Sequence, residues 1–216
     1  MQNTTLPDAQ SLCESGAAKL RSGDVRGAVA DLDQAIQQNP NLAKAYYQRG
    51  NARFRTRDMK GAAVDYGKAI ELAPDFADAY NNRSVARFRA QDHEGALNDA
   101  SKAIKLSPDD PDPYYNRARA KMQLTNYGGA VRDLNAAIRL RPEFVDAYLM
   151  RALSKQKSAN RAGALPDLDK AIALAPDRGA PYVIRAMARL GLRNIGGGFA
   201  DLARASVRGA RNVLRR

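Results

Sequence analysis

Residues 80–108 read YNNRSVARFRAQDHEGALNDASKAIKLSP, and the rest of the 216-residue chain copies them. A step of 34 residues from Pro108 in either direction meets Pro74 and Pro142, then Pro40 and Pro176, with no insertion between them. The same step aligns Tyr46, Tyr80, Tyr114, Tyr148 and Tyr182, and also Ala35, Ala69, Ala103, Ala137, Ala171 and Ala205. A fixed period of this length marks a repeat array, in which each unit is one supersecondary element that buries its apolar face on its neighbours.

The period, the proline column and the small-residue columns resemble the tetratricopeptide repeat, a helix-turn-helix unit of 34 residues. The resemblance implies an all-α fold, a right-handed α-solenoid of six such repeats. With the proline taken as repeat position 32, the repeats run 9–42, 43–76, 77–110, 111–144, 145–178 and 179–212. Residues 1–8 read as a flexible lead, and 199–216 as a basic amphipathic capping helix.

Within each repeat the first helix is expected over positions 2–14 and the second over 17–30. Position 16 is Asp24, Asp58, Asp92, Asn126, Asn160 and Asn194, residues whose short polar side chains cap helix N-termini. Gly27, Gly61, Gly95, Gly129, Gly163 and Gly197 follow three residues later. A glycine inside a helix costs about 1 kcal/mol, so close helix approach is expected there. The closing proline stops the second helix, because the residue before it disfavours α geometry. Apolar columns at positions 4, 10, 20, 24, 27, 28 and 30 share one helical face and form the expected core. Pro166, inside the fifth repeat's second helix, is expected to kink or shorten it.

Two charged columns depart from the family's common pattern. Position 7 is Arg49, Arg83, Arg117, Arg151 and Arg185, with Ser15 in the first repeat, and position 23 is Asp31, Asp65, Asp99, Asp133, Asp167 and Asp201. A planar guanidinium opposite a carboxylate suits a bidentate pair, so the columns read as a structural ladder between the two helices. Position 11 is always basic (Lys19, Arg53, Arg87, Lys121, Lys155, Arg189). Its long stems read as covering apolar surface with their heads in water.

Composition excludes most chemistry. One histidine, His93, and one cysteine, Cys13, supply neither a disulfide framework nor a common zinc set. His93 reads as a solvated turn residue. The glycines 196–198 lack the lysine-serine sequel of a phosphate loop, and the carboxylates fall in repeated architectural columns. The expectation is therefore a non-catalytic chain with no cofactor and no metal. No apolar run reaches the roughly 18 residues of a membrane span. The first residues show no secretory signal, and a cytoplasmic home is the default expectation. The net charge is +12, and residues 179–216 hold eight arginines against Asp201 alone. Such asymmetry points to an anionic partner.

The resemblance places a partner in the groove lined by first helices, at positions 2, 5, 6, 9, 12 and 13. Here those positions offer Tyr47, Gln48, Asn51, Phe54, Arg55, Asn82, Phe88, Arg89, Tyr115, Asn116 and Arg119. Side-chain amides donate and accept, so a row of them pairs with a peptide backbone of any sequence; the asparagine row resembles the peptide groove of the O-linked sugar transferases' repeat domains. Arginines beside aromatics favour an acidic or C-terminal carboxylate element. The family's chaperone-binding subtype clamps such a carboxylate with lysine, asparagine, asparagine, lysine and arginine. Asn51 and Asn82 match its two asparagines, while Tyr47, Asp112 and Asn116 depart from the rest. Farther along, Leu149, Met150, Leu153, Val183, Ile184 and Met187 turn the groove apolar, which suits a partner helix. The expected function is thus a protein-protein adaptor or scaffold. The alternative is polyanion binding, to nucleic acid or an acidic membrane surface, through Arg204, Arg208, Arg211, Arg215 and Arg216, with Phe199, Leu202, Ala203, Ser206 and Val207 on the opposite, apolar face. Self-association through this last helix is a third expectation.

Overall fold

The computed structural model describes residues 7–213, with side chains described through Val207. Two compact units divide the chain after Pro108. The first contains α1 (Ala9–Ser22), α2 (Val25–Gln38), α3 (Ala43–Arg55), α4 (Met59–Leu72), α5 (Ala77–Arg89) and α6 (His93–Leu106). The second contains α7 (Pro111–Gln123), α8 (Tyr127–Leu140), α9 (Val145–Lys157), α10 (Arg161–Leu174), α11 (Gly179–Gly191) and α12 (Ile195–Val213). Consecutive helices pair into hairpins, and within each unit the second helix of one hairpin packs on the first helix of the next. No strand occurs among the described residues.

Two residues, Gly23 and Asp24, join the helices of the first hairpin and three join those of each later one, and the residue before the cap and the cap itself perform two tasks. The residue before the cap takes a left-handed backbone: Gly23 (φ 89°), then Arg57, Gln91, Thr125, Ala159 and Arg193 (φ 59–66°). This bend lets the next amide reach back five residues, as from Asp58 N–H to the Arg53 carbonyl at 2.9 Å, closing the first helix in a Schellman motif. That same residue then caps the second helix: Asp58 accepts from the Gly61 amide at 2.9 Å, and Asp92 from Gly95 at 2.8 Å. The expected caps are all in place.

The glycines three residues on have a different reason from the one expected. A Cβ at Gly27, Gly61 or Gly95 would lie 2.1 Å from the capping carboxylate, not against a neighbouring helix. Close approach does occur, at other glycines. A Cβ on Gly16 would meet Leu32 at 2.7 Å, one on Gly50 would meet Tyr66 at 2.7 Å, and one on Gly198 would meet Leu190 at 2.6 Å. Pro166 does not shorten α10, which keeps the 14 residues of its counterparts.

Left-handed geometry costs a residue with a Cβ about 1–3 kcal/mol, most for a β-branched one. Thr125 is β-branched and exposed. Thr125→Gly is therefore expected to stabilise the second unit by about 1 kcal/mol after glycine's greater unfolded freedom is subtracted. Thermal denaturation checks this, and a lowered midpoint would contradict it.

The core is a strip of small residues. Columns 20, 24 and 27 are buried almost throughout, for example Ala62, Tyr66 and Ala69 at 1% exposure or less. Columns 28 and 30 are mostly half-buried. Column 10 is buried from the second repeat on, but Ala18 in α1 is exposed. Columns 3 and 8 are buried as well (Ala45, Ala79 and Pro113; Gly50, Ser84 and Ala118). Their small or polar residues carry too little hydropathy to be read as core.

The charged columns form the interior ladder. Arg83 donates through Nε and Nη2 to Asp99 at 2.8 and 2.7 Å. The same fork joins Arg49 to Asp65, Arg117 to Asp133, Arg151 to Asp167 and Arg185 to Asp201. In the first repeat Ser15 substitutes, its hydroxyl donating to Asp31 at 2.6 Å. Each guanidinium also lies over the tyrosine three residues earlier, as Arg83 over Tyr80 at 5.6 Å. The position-11 heads are not solvated as expected. They turn inward and give each aspartate a second cation, from Lys19–Asp31 at 2.7 Å to Arg189–Asp201 at 2.8 Å. Burial opposes ionisation of Asp201, yet the Arg185 hydrogen bonds, with Arg189 and Arg204, outweigh it and hold the carboxyl below its usual range.

Candidate functional site

The first helices of residues 1–108 bring most of the expected groove residues together. Asn82 on α5 donates from Nδ2 to the Tyr47 hydroxyl at 3.0 Å and to Asn51 Oδ1 at 3.1 Å, both on α3. Asn51 Oδ1 also accepts from the Tyr66 hydroxyl at 2.8 Å, and Asn51 Nδ2 donates to Gln48 Oε1 at 3.3 Å. The amides are therefore knitted to one another rather than standing as independent rungs. Both Asn82 N–H groups are used, which leaves its Oδ1 to accept, while Gln48 Nε2 and one Asn51 N–H remain to donate. One acceptor beside several donors matches the alternation of an extended peptide backbone.

Tyr66 was not legible as a site residue. It stands on α4 in a column otherwise filled by leucine and alanine and is 1% exposed. Because Gly50 has no side chain, the ring lies against α3 and its hydroxyl reaches the groove network. A tyrosine in a leucine column opposite a glycine was the available signal. Burial pushes the Tyr66 and Tyr47 hydroxyls above their ordinary pKa. Tyr47 is backed by Phe76 with ring centroids 4.7 Å apart.

Phe54 is half-buried, and the Arg89 guanidinium lies over its ring at 4.7 Å. Arg55 is exposed and donates to the Leu20 carbonyl. Phe88 packs against His93 at 5.1 Å. His93 is not a solvated turn residue: it opens α6, is half-buried, and its Nδ1 is buried with no protein partner.

In residues 109–216, Tyr115 stacks on Phe144 at 4.9 Å and Arg119 lies over the Tyr115 ring at 5.8 Å. Asn116 is half-buried beside them on α7. Of the apolar continuation, Leu149 is buried and Met187 is 61% exposed.

On the last helix Gly198, Asp201 and Ala205 are the buried side and Leu202 is half-buried, whereas Phe199, Ala203, Ser206 and Val207 are exposed. The Asp201 ladder contact lies on the side that meets α11. Arg204 is exposed and reaches Asp201 at 3.5 Å. The side chains of Arg208, Arg211, Arg215 and Arg216 lie outside the described residues. Among the described residues no helix is long and apolar enough to cross a membrane.

Three family models match the chain: a TPR repeat over residues 16–56 and tetratricopeptide repeats over 43–76 and 83–155. The chain belongs to the tetratricopeptide repeat family. Solved tetratricopeptide structures share the fold at low identity. YrrB, described as a TPR protein with an unusual peptide-binding site, is 22% identical with a TM-score of 0.71 over 81% of this chain and 90% of its own. MamA from Desulfovibrio magneticus RS-1 is 19% identical with a TM-score of 0.73, over 79% and 97%. A tetratricopeptide repeat protein from Parabacteroides merdae is 18% identical with a TM-score of 0.71, over 96% and 81%. No curated protein sequence matches the chain. Tetratricopeptide hairpins thus account for the helix pairs.

Proposed function

We propose that the chain is a non-catalytic adaptor that binds an extended peptide of a partner protein along the first-helix face of residues 1–108. The observation that carries this reading is the split of unused hydrogen-bonding capacity: Asn82 Oδ1 accepts, while Gln48 and Asn51 donate. Exposed Arg21, Lys44, Arg55 and Arg89 stand around this network, which favours an acidic or C-terminal carboxylate element in the ligand. Tyr115, Asn116 and Arg119 offer a separate aromatic and basic surface in residues 109–216. The fold is shared with YrrB, described as a TPR protein with an unusual peptide-binding site, and this likeness supports the general mode. A second reading, polyanion binding by α12, rests on exposed Arg204 beside exposed Phe199 and Val207.

Gln48→Ala combined with Asn82→Ala tests the first reading. Two lost hydrogen bonds at about 0.5–1.5 kcal/mol each weaken an acidic peptide roughly tenfold. Both side chains are half-buried, and Asn82→Ala also gives up its two hydrogen bonds within the network, so stability falls by about 1–3 kcal/mol while the chain stays folded. Unchanged affinity in fluorescence anisotropy would remove the amide network from the binding site.

A further inference from the structure

The first-helix face of residues 1–108 is graded from one end to the other. A cavity of about 140 Å³ is walled by Phe54, Val85 and the Tyr66 ring, with Asn51 and Asn82 as its polar members. Phe54 and Asn51 also border a second cavity of about 380 Å³ that includes Arg21, Gln48 and Arg55. Arg21 and Gln48 continue into a third, of about 340 Å³, with Lys44 and Glu14. An apolar pocket at one end thus passes into a basic trough at the other, and Phe54 is the partition between the first two cavities.

Each part selects a different chemistry. Tyr66 closes the small cavity with a ring whose hydroxyl is already committed to Asn51, so its wall offers carbon and little hydrogen bonding. A cavity of about 150 Å³ holds a benzene-sized group. The space therefore accommodates a four-carbon aliphatic side chain and excludes an indole. In the trough the cations Arg21, Lys44 and Arg55 outnumber Glu14, and Arg21 and Lys44 are exposed.

Building on the adaptor reading above, we infer that the Phe54–Tyr66–Val85 cavity is a specificity pocket for one leucine, isoleucine or methionine side chain of an acidic peptide, whose carboxylates lie over Arg21, Lys44 and Arg55. The ligand class is an acidic segment with a single aliphatic anchor. Acidity alone gives attraction without register; the anchor fixes the register, placing the peptide's backbone N–H opposite Asn82 Oδ1.

Labelled heptapeptides Glu-Asp-Glu-X-Glu-Asp-Glu, with X as leucine, alanine or tryptophan, test this by anisotropy on the full chain. Losing three buried carbons weakens the alanine peptide at least about tenfold relative to leucine, and the tryptophan peptide falls with it. Val85→Trp fills the cavity and is expected to abolish the leucine preference, bringing the leucine peptide down to the affinity of the alanine peptide. Arg21→Glu with Lys44→Glu changes only exposed side chains and is expected to weaken all three peptides together while keeping the leucine-to-alanine ratio. Equal binding of the leucine and alanine peptides, or a ratio untouched by Val85→Trp, would overturn the pocket and leave an acidic-peptide groove standing. Failure of every acidic peptide to bind would overturn the groove reading itself, and this inference with it.

Discussion

Asp99→Ala is expected to destabilise the first unit by about 3–5 kcal/mol, the range for removing one partner of a buried ion pair. Asp99 is 4% exposed and accepts three hydrogen bonds, two from Arg83 and one from Arg87 at 2.8 Å. Its loss strands the Arg83 guanidinium, 16% exposed and held under Tyr80, where water reaches it poorly. The cost comes from that orphaned charge more than from the missing attraction. Arg87→Ala is the control: its side chain is 31% exposed, and the aspartate keeps its bidentate partner, so about 1 kcal/mol is expected. Urea denaturation of the two variants reads the difference. Equal, small effects would mean that the ladder is a surface feature despite its burial.

Tyr66→Ala is expected to cost about 3–5 kcal/mol, as for other buried aromatic truncations. The ring packs where a Cβ on Gly50 would stand 2.7 Å from it, and its removal leaves a void opposite a residue with no side chain to fill it. The variant also removes one of the two donors to Asn51 Oδ1, leaving Asn82 Nδ2 alone, so peptide affinity falls with stability. Tyr66→Phe separates the two effects. It keeps the ring, loses one hydrogen bond worth about 1 kcal/mol, and leaves Asn51 Oδ1 with Asn82 as its remaining donor while the hairpin stays packed. A phenylalanine variant with full affinity would show that the hydroxyl does not organise the groove.

Acid is expected to unfold the chain from the ladder outward. Asp31 and Asp201 have native pKa values held below the usual carboxylate range. Their contribution is fully present above the unfolded carboxylate pKa of about 3.9, and it is lost as pH falls through the lower native value. The melting temperature should therefore be flat from pH 7 to 5 and drop steeply below pH 4; a decline beginning near pH 6 would place the loss elsewhere.

The fold was legible because a helical hairpin writes its period, its caps and its stop signal into single residue types. Asp58 and Pro74 mark their places without any knowledge of the third dimension. The Arg–Asp columns were legible too, because a fixed spacing of 16 residues brings Arg83 to Asp99 in every hairpin of the same geometry. What escaped was direction and detail. The position-11 cations look like solvent-facing residues by charge alone, and only the packed hairpin turns Arg87 toward a buried carboxylate. On α12 the apolar residues Phe199 and Val207 were legible as a face, and the structure leaves it exposed, with Gly198, Ala205 and the Arg185–Asp201 contact on the packed side. The left-handed turn at Thr125 is invisible in a residue type that resists it, since the rest of the hairpin holds it there. In the groove the amide row was legible as a set of residues, but its wiring depends on Tyr66, which reaches it only through the gap at Gly50.

The central claim is that peptide binding uses the amide network of α3 and α5, and side-chain amide resonances test it most directly. Titrating the labelled chain with Glu-Asp-Glu-Leu-Glu-Asp-Glu should shift the Gln48, Asn51 and Asn82 side-chain signals at saturable peptide concentration. Shifts confined to α12 around Arg204 and Val207, with those three amides unmoved, would contradict it and place anion binding on the last helix.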